Sequence, residues 1–293
     1  MHTLFRALFV ASFVAACASC AVSVNADDPT DKTEDEREIQ VLFIGNSYTY
    51  FNNLDATVKA MIEVSGRRAR VERSTFGGWR LRQHFKGEVP KNNPNAIPTP
   101  EALKKAQWDY VVLQEQSCGP VDQRAEYLEY GKKMNDLVKE NNPATNVLLY
   151  QTWGRCDGMF EGYGDDEARK AEVIAAFTKR YSEPNEATIE ALKDGMQGGC
   201  ARLAKETEAV VVPVGKAFQE VGDKVDLHAN EKGQKPHHPS PAGTYLAACL
   251  FFKTITGESP VGLWKKLNAE GKDFKVGEED AAYLERVADN VCK

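Results

Sequence analysis

Ile39-Gln40-Val41-Leu42-Phe43-Ile44-Gly45-Asn46-Ser47 is an apolar run that ends in a small, polar turn. The run is short and almost continuous, which is the signature of a strand buried on both faces. A helical pattern begins soon afterwards: Leu54, Val58, Met61 and Ile62 fall on one face, and Gly66 closes the segment. Ser47 therefore sits between the tip of a buried strand and a helix, where several unrelated hydrolases hold a nucleophile. The motif is not the Gly-x-Ser-x-Gly elbow, because Thr49 stands two residues beyond Ser47. Alone, such a serine is an ordinary turn or capping residue, so its meaning depends on the rest of the chain.

Four further runs read as strands: residues 69–74, 110–113, 147–150 and 209–214. Run 69–74 is interrupted by charges and is the weakest of them. Helical patterns lie between the runs, over residues 124–141 and within 186–206. Residues 241–255 form a well-marked helix, with Ser240 as N-cap, Pro241 in the first turn and Gly257 just past the end. Two more helices are expected around 261–267 and 278–291. Strand alternating with helix predicts an α/β fold, a parallel sheet covered on both sides. Sites in such sheets lie at the carboxyl ends of the strands.

The 293 residues carry 42% hydrophobic and 27% charged side chains, the balance of a globular protein with a sizeable core. A net charge of −6 disfavours nucleic acid as a partner. At the N-terminus, His2 and Arg6 precede an apolar run over residues 7–16 that is too short to span a membrane. Small residues at Val24-Asn25-Ala26 suit signal-peptidase cleavage after Ala26. The expected organisation is a signal peptide over 1–26, an acidic linker over 27–38 and one domain over 39–293, exported to the periplasm or the outside. Val14-Ala15-Ala16-Cys17 also fits a lipoprotein box, and lipidation of Cys17 would then anchor the chain to a membrane. Export permits disulfides. Cys118, Cys156, Cys200, Cys249 and Cys292 lie beyond the leader, an odd number, and the pairings 249–292 and 156–200 are available.

Three more stretches bear on Ser47. Thr75-Phe76-Gly77-Gly78-Trp79 follows the second strand, and paired glycines let a backbone N–H approach a ligand closely. Gln114-Glu115-Gln116-Ser117 ends the third strand and brings side-chain amides to a strand tip. His237-His238-Pro239-Ser240 precedes the helix at 241 and offers a general base toward Ser47. With His228 nearby, a histidine metal site is a rival reading. No carboxylate or cysteine stands at ligand spacing, so no metal and no cofactor are expected.

In this order, the blocks resemble those of the SGNH hydrolase superfamily, also called the GDSL esterase/lipase family. Gly45-Asn46-Ser47 is similar to its Gly-Asp-Ser block, and Gly78 (or Gly77) to the glycine of its second block. Gln114–Ser117 aligns with Gly-x-Asn-Asp, and residues 235–239 with Asp-x-x-His-Pro. The resemblance spans residues 40–255. It implies a three-layer α/β/α, flavodoxin-like fold with a five-stranded parallel sheet. It implies Ser47 as nucleophile, His238 as base, and Ser47, Gly78 and Gln116 as oxyanion donors. Three positions depart from the pattern: Asn46 for aspartate, Gln116 for asparagine, and Lys235 where the aspartate that orients the histidine should be. Asp226 and Glu115 are the candidate replacements, Asp226 being taken forward as the third catalytic residue; a Ser–His dyad is the other solution.

The expected activity is ester hydrolysis through an acyl-Ser47, falling at acid pH as His238 takes up a proton. The substrate expected is a small-molecule or glycan ester. With no long apolar lid segment, and with Tyr48, Tyr50, Trp79 and Trp153 near the proposed cleft, O-acetyl groups on a carbohydrate are the favoured target, Trp79 and Trp153 being the candidate stacking residues. A catalytically inactive carbohydrate-binding protein on the same fold and a lipid-anchored surface protein remain as alternatives.

Overall fold

The computed structural model describes residues 37–116, 118–154, 160–229 and 237–292. The expected signal peptide and Cys17 anchor, linker residues 27–36, and Ser117, Cys156 and Lys235 lie outside them. Five strands, β1 (Ile39–Gly45), β2 (Ala69–Thr75), β3 (Tyr110–Leu113), β4 (Asn146–Tyr150) and β5 (Val210–Val212), form one sheet. Every pairing is parallel and the order is β2-β1-β3-β4-β5. Twelve helices are described in chain order. The first six are α1 (Ser47–Tyr50), α2 (Leu54–Val64), α3 (Leu81–Phe85), α4 (Thr99–Leu103), α5 (Gly119–Asp122) and α6 (Arg124–Asn141). The rest are α7 (Glu167–Arg180), α8 (Glu186–Thr207), α9 (Val214–Val221), α10 (Pro241–Thr256), α11 (Leu263–Ala269) and α12 (Glu278–Val291).

Successive side chains of a strand point to opposite faces. Val41 and Phe43 of β1 therefore enter one core, with Val112, Leu148 and Val212 and the inward faces of α2, α9, α10 and α12. Leu42 and Ile44 enter the other, with Val111, Leu113, Val147 and Leu149 against Leu81, Met134, Val138 and Leu203. Helix cover on both faces explains why β1 is apolar from Val41 to Ile44. The charges that weakened the reading of β2 mark it as an edge strand. Arg70 pairs with Glu72 at 2.6 Å and lies over the Trp108 ring, so the charged residues shield an edge rather than interrupt a core. At the opposite edge β5 is shorter than expected, because Pro213 cannot extend the ladder and N-caps α9.

Cys249 and Cys292 are free thiols, which overturns the 249–292 pairing; Cys200 is also free, and Cys156, its suggested partner, lies outside the described residues. Cys249 lies on the buried face of α10, while Cys292 faces Thr254 Oγ1 at 3.9 Å. Cys200 accepts from the Tyr127 hydroxyl at 3.5 Å, and burial pushes its thiol up to about 11.

The chain runs outward from β1 to β2 and then crosses back to β3, so the strand order reverses beside β1. That is where a crevice opens at the carboxyl ends of such a sheet. The residues after β1 and after β3 flank it.

Candidate active site

Gly45 ends β1 in a crowded position. A Cβ there would lie 2.5 Å from Gln114 Oε1 and 2.9 Å from Thr49 Oγ1, so only glycine fits. The Gln114 oxygen that fills this space accepts from Asn46 N at 2.9 Å and from Thr49 Oγ1 at 3.1 Å. Gln114 thus locks the tip of β3 to the turn that presents Ser47. Asn46 caps α1, its Oδ1 accepting from Tyr48 N at 3.1 Å, while its Nδ2 donates to Trp79 O at 2.9 Å. That second bond accounts for asparagine in place of aspartate: a carboxylate has no proton to give the Trp79 carbonyl. Block one is thereby tied to the Gly78 loop.

His84 supports the same turn from below. It is fully buried, with its Nε2 3.0 Å from Gly45 O and its Nδ1 2.7 Å from Thr99 Oγ1. A carbonyl only accepts, so Nε2 carries the proton and Nδ1 accepts from the threonine hydroxyl. Ser74 Oγ in turn lies 2.8 Å from Thr99 Oγ1. Burial lowers the His84 pKa to about 4, so this ring stays neutral and serves as a structural spacer.

The histidine end is built differently. His238 O accepts from Ala229 N at 2.9 Å and Leu227 O accepts from Ser240 N at 2.8 Å, a short antiparallel ladder. Asn52 Nδ2 donates to Pro239 O at 2.9 Å, and Trp153 Nε1 to His237 O at 3.1 Å. Asn52 and Asn53 both adopt left-handed backbone, φ 53° and 55°, which asparagine tolerates and which turns the chain from α1 into α2. The His238 ring stacks on Phe51 (centroids 4.4 Å, planes 10° apart) and meets the edge of Tyr48. In this setting His238 Nε2 lies 2.8 Å from Ser47 Oγ, across 191 residues of sequence. Both residues are half-buried.

Of the proposed oxyanion donors, Ser47 N belongs to the first turn of α1, where an amide has no acceptor within its own helix. Gly78 is exposed with φ 70°, a conformation that a side chain would strain. Gln116 Oε1 accepts from Cys118 N at 3.2 Å, which leaves the Nε2 end of the amide as the donor end.

Three expectations need correcting. Asp226 does not reach His238: it is exposed, and its Oδ1 accepts from His228 N at 3.1 Å in a local turn. Glu115, the other candidate carboxylate, is buried, with its oxygens on the amides of Leu81 and Gln116. Neither tryptophan offers a ring face to a sugar. Trp153 is sandwiched between Tyr48 (4.7 Å, 9°) and Phe218 (4.1 Å, 2°), and Trp79 packs on Phe76 and His84. Both are interior rings, and Trp153 serves as a cushion under the histidine loop. His228, half-buried, leans edge-on against Trp153 and Phe218; burial lowers its pKa, with Asp226 opposing and His237 adding to the shift. Among the described residues no group of three His, Cys, Asp or Glu side chains could hold a metal ion.

Sequence reasoning missed His84 altogether and gave Gln114 no role. A histidine inside Arg80-Leu81-Arg82-Gln83-His84-Phe85 carries no local signal of burial. Gln114 did carry one, being polar at the end of an otherwise apolar run.

No family model and no curated protein matches the sequence. Solved structures do. A DUF4886 family protein from Bacteroides uniformis superposes with a TM-score of 0.61 at 17% identity, over 87% of this chain and 95% of that one. A candidate SGNH hydrolase from Slackia heliotrinireducens superposes with a TM-score of 0.53 at 24% identity, over 74% of this chain and 99% of that one. The chain therefore has the SGNH hydrolase fold, an α/β architecture around a five-stranded parallel sheet.

Proposed function

We propose that the protein is an exported serine esterase that removes O-acetyl groups from a carbohydrate. The observation that carries this reading is the 2.8 Å contact between Ser47 Oγ and His238 Nε2 at the carboxyl rim of the sheet. In the proposed cycle His238 Nε2 takes the Ser47 proton as Oγ attacks the ester carbonyl. The Oγ–C bond forms, and the carbonyl oxygen becomes an oxyanion held by the N–H groups of Ser47 and Gly78 and the Gln116 amide. Collapse breaks the ester C–O bond, and His238 returns the proton to the leaving alcohol. Water, deprotonated by His238, then attacks the acyl carbon; the C–Oγ bond breaks, acetate leaves and His238 returns the proton to Ser47. Each oxyanion donor is worth about 10²–10³ in turnover in sites of this kind.

The pair works as a dyad with respect to the two carboxylates that sequence suggested, since Asp226 and Glu115 are both engaged elsewhere. Part of the orienting task falls to Phe51 and Tyr48, which fix the plane of the ring. The acetyl-carbohydrate choice rests on the leader, which suits export, and on the lack of a long apolar lid segment in the sequence. The buried tryptophans remove one argument that favoured it. Incubation with acetylated polysaccharides and with long-chain esters tests the choice. Acetate release with poor long-chain turnover is expected; the opposite pattern rejects a carbohydrate substrate.

A further inference from the structure

Glu115 is a carboxylate at the tip of β3, 6% exposed, to which the proposed cycle gives no step. Both of its oxygens are engaged by backbone amides. Oε2 accepts from Leu81 N at 3.1 Å and Oε1 from Gln116 N at 2.7 Å. These amides belong to different loops. Leu81 opens α3, three residues after Gly78. Gln116 is the residue whose side chain is the proposed third oxyanion donor. Gly119 makes room for the bridge, since a Cβ there would lie 2.5 Å from Glu115 Cγ.

We propose that Glu115 is a positioning residue: as a carboxylate it fastens the Gly78 loop to the Gln116 loop and holds the oxyanion donors in register, and on protonation it lets them slacken. The inference rests on the serine-esterase reading above. An ionised carboxylate is acceptor-only, so two oxygens meet two N–H groups without conflict. A neutral carboxyl turns one oxygen into a hydroxyl, a weaker acceptor that also needs an acceptor of its own, so one of the two ties weakens. The surroundings set where this happens. Burial is the largest influence and raises the pKa from the usual 4.5 to about 7. Arg80, in the loop before α3, favours the ion, and Glu126 of α6 opposes it. Glu126 is itself 3.5 Å from Arg82 of α3. Tyr127 of α6 also faces the carboxyl, but its phenol is held well above its ordinary range and stays neutral. The two amide bonds pull the Glu115 pKa back down, so the ties and the charge are coupled.

The test is the pH profile of kcat/KM for 4-nitrophenyl acetate in the native protein and in Glu115→Gln, with fluorophosphonate labelling of Ser47 in both. Glutamine has the shape of the protonated acid and cannot ionise. Native activity should fall through an acid step that belongs to Glu115 and ends at the Glu115→Gln level. Glu115→Gln should lack that step and start from a plateau lower by about tenfold to a hundredfold, the scale of a small misplacement of catalytic groups. If Glu115→Gln does not fold, Glu115→Asp is measured instead; it keeps an ionisable group and should keep the step. Equal profiles and plateaus for native and Gln, or a native or Asp profile without the step, overturn the positioning role while Ser47 still labels. Absence of label on Ser47 in active native protein overturns the esterase reading and this inference with it.

Discussion

The two ends of the Ser47–His238 pair are built from opposite materials. At the serine end, Asn46, His84 and Gln114 are buried polar side chains joined by hydrogen bonds to one another's backbones and to the strand tips. At the histidine end, Phe51, Tyr48, Trp153 and Phe218 form a run of rings beneath a loop pinned by backbone ladder bonds. The difference follows from where each residue arises. Ser47 leaves a central strand, where every polar group is cut off from water and must find a partner. His238 lies on a connection at the sheet's rim, where apolar rings can take up its underside. A polar network fixes position through direction; a stack of rings fixes a plane.

The largest effects are expected at the reacting pair itself. Ser47→Ala and His238→Ala should each lower kcat for an acetyl ester by about 10⁴-fold or more, with the melting temperature close to native; a small loss in either would separate the pair from the reaction. Next come the polar supports. Gly45→Ala drives a methyl group into Gln114 Oε1 and should cost about 1–3 kcal/mol, read by denaturant unfolding, with activity falling alongside. Asn46→Asp installs the aspartate of the Gly-Asp-Ser block, yet it should destabilise by about 1–3 kcal/mol, because it leaves the Trp79 carbonyl without its buried donor. Neutral or improved stability would show that the Asn46–Trp79 bond does not support the turn.

At Glu115, on the serine side, a pH effect of defined sign is expected. Its folded pKa is raised above the usual 4.5, so the folded state prefers the proton. The stability this contributes is fully present below about 4.5 and is lost as pH rises toward about 7. Thermal melts of native protein and Glu115→Gln should therefore diverge in favour of the glutamine variant between those limits, even though the ionised form is the one proposed to assemble the site. The smallest effect is expected at Asp226, whose carboxylate caps only its own turn: Asp226→Asn should change kcat/KM by less than about twofold, whereas loss of a true triad carboxylate drops kcat by about 10⁴.

The sheet was legible because both of its faces are covered. Burial on two sides leaves near-continuous apolar runs, and four of the five strand readings agree with the structure to within a residue or so at either end. The exception, β5, ends early at Pro213, and α9, beginning at Val214, was read as the end of that strand. α7 was not anticipated; it forms a separate small core with α8, through Val173, Phe177, Leu192 and Met196, away from the sheet whose alternation guided the reading. At the site, the meeting of Ser47 and His238 was legible because each sits beside a strong local boundary, a strand tip and a capped helix. The third-residue assignment failed because a carboxylate's partner depends on loop geometry, and Asp226 turned to the nearest backbone amide instead. The tryptophans misled for a related reason: sequence shows that a ring is near a cleft and not which way its face is turned. His84 was silent because its burial depends on α3 folding back beneath β1, a tertiary event.

The most direct measurement is fluorophosphonate modification of the full-length protein followed by peptide mapping. A single adduct is expected on Ser47, absent in Ser47→Ala and formed far more slowly in His238→Ala. An active protein that carries the adduct on another residue, or that labels at an unchanged rate without His238, would contradict it.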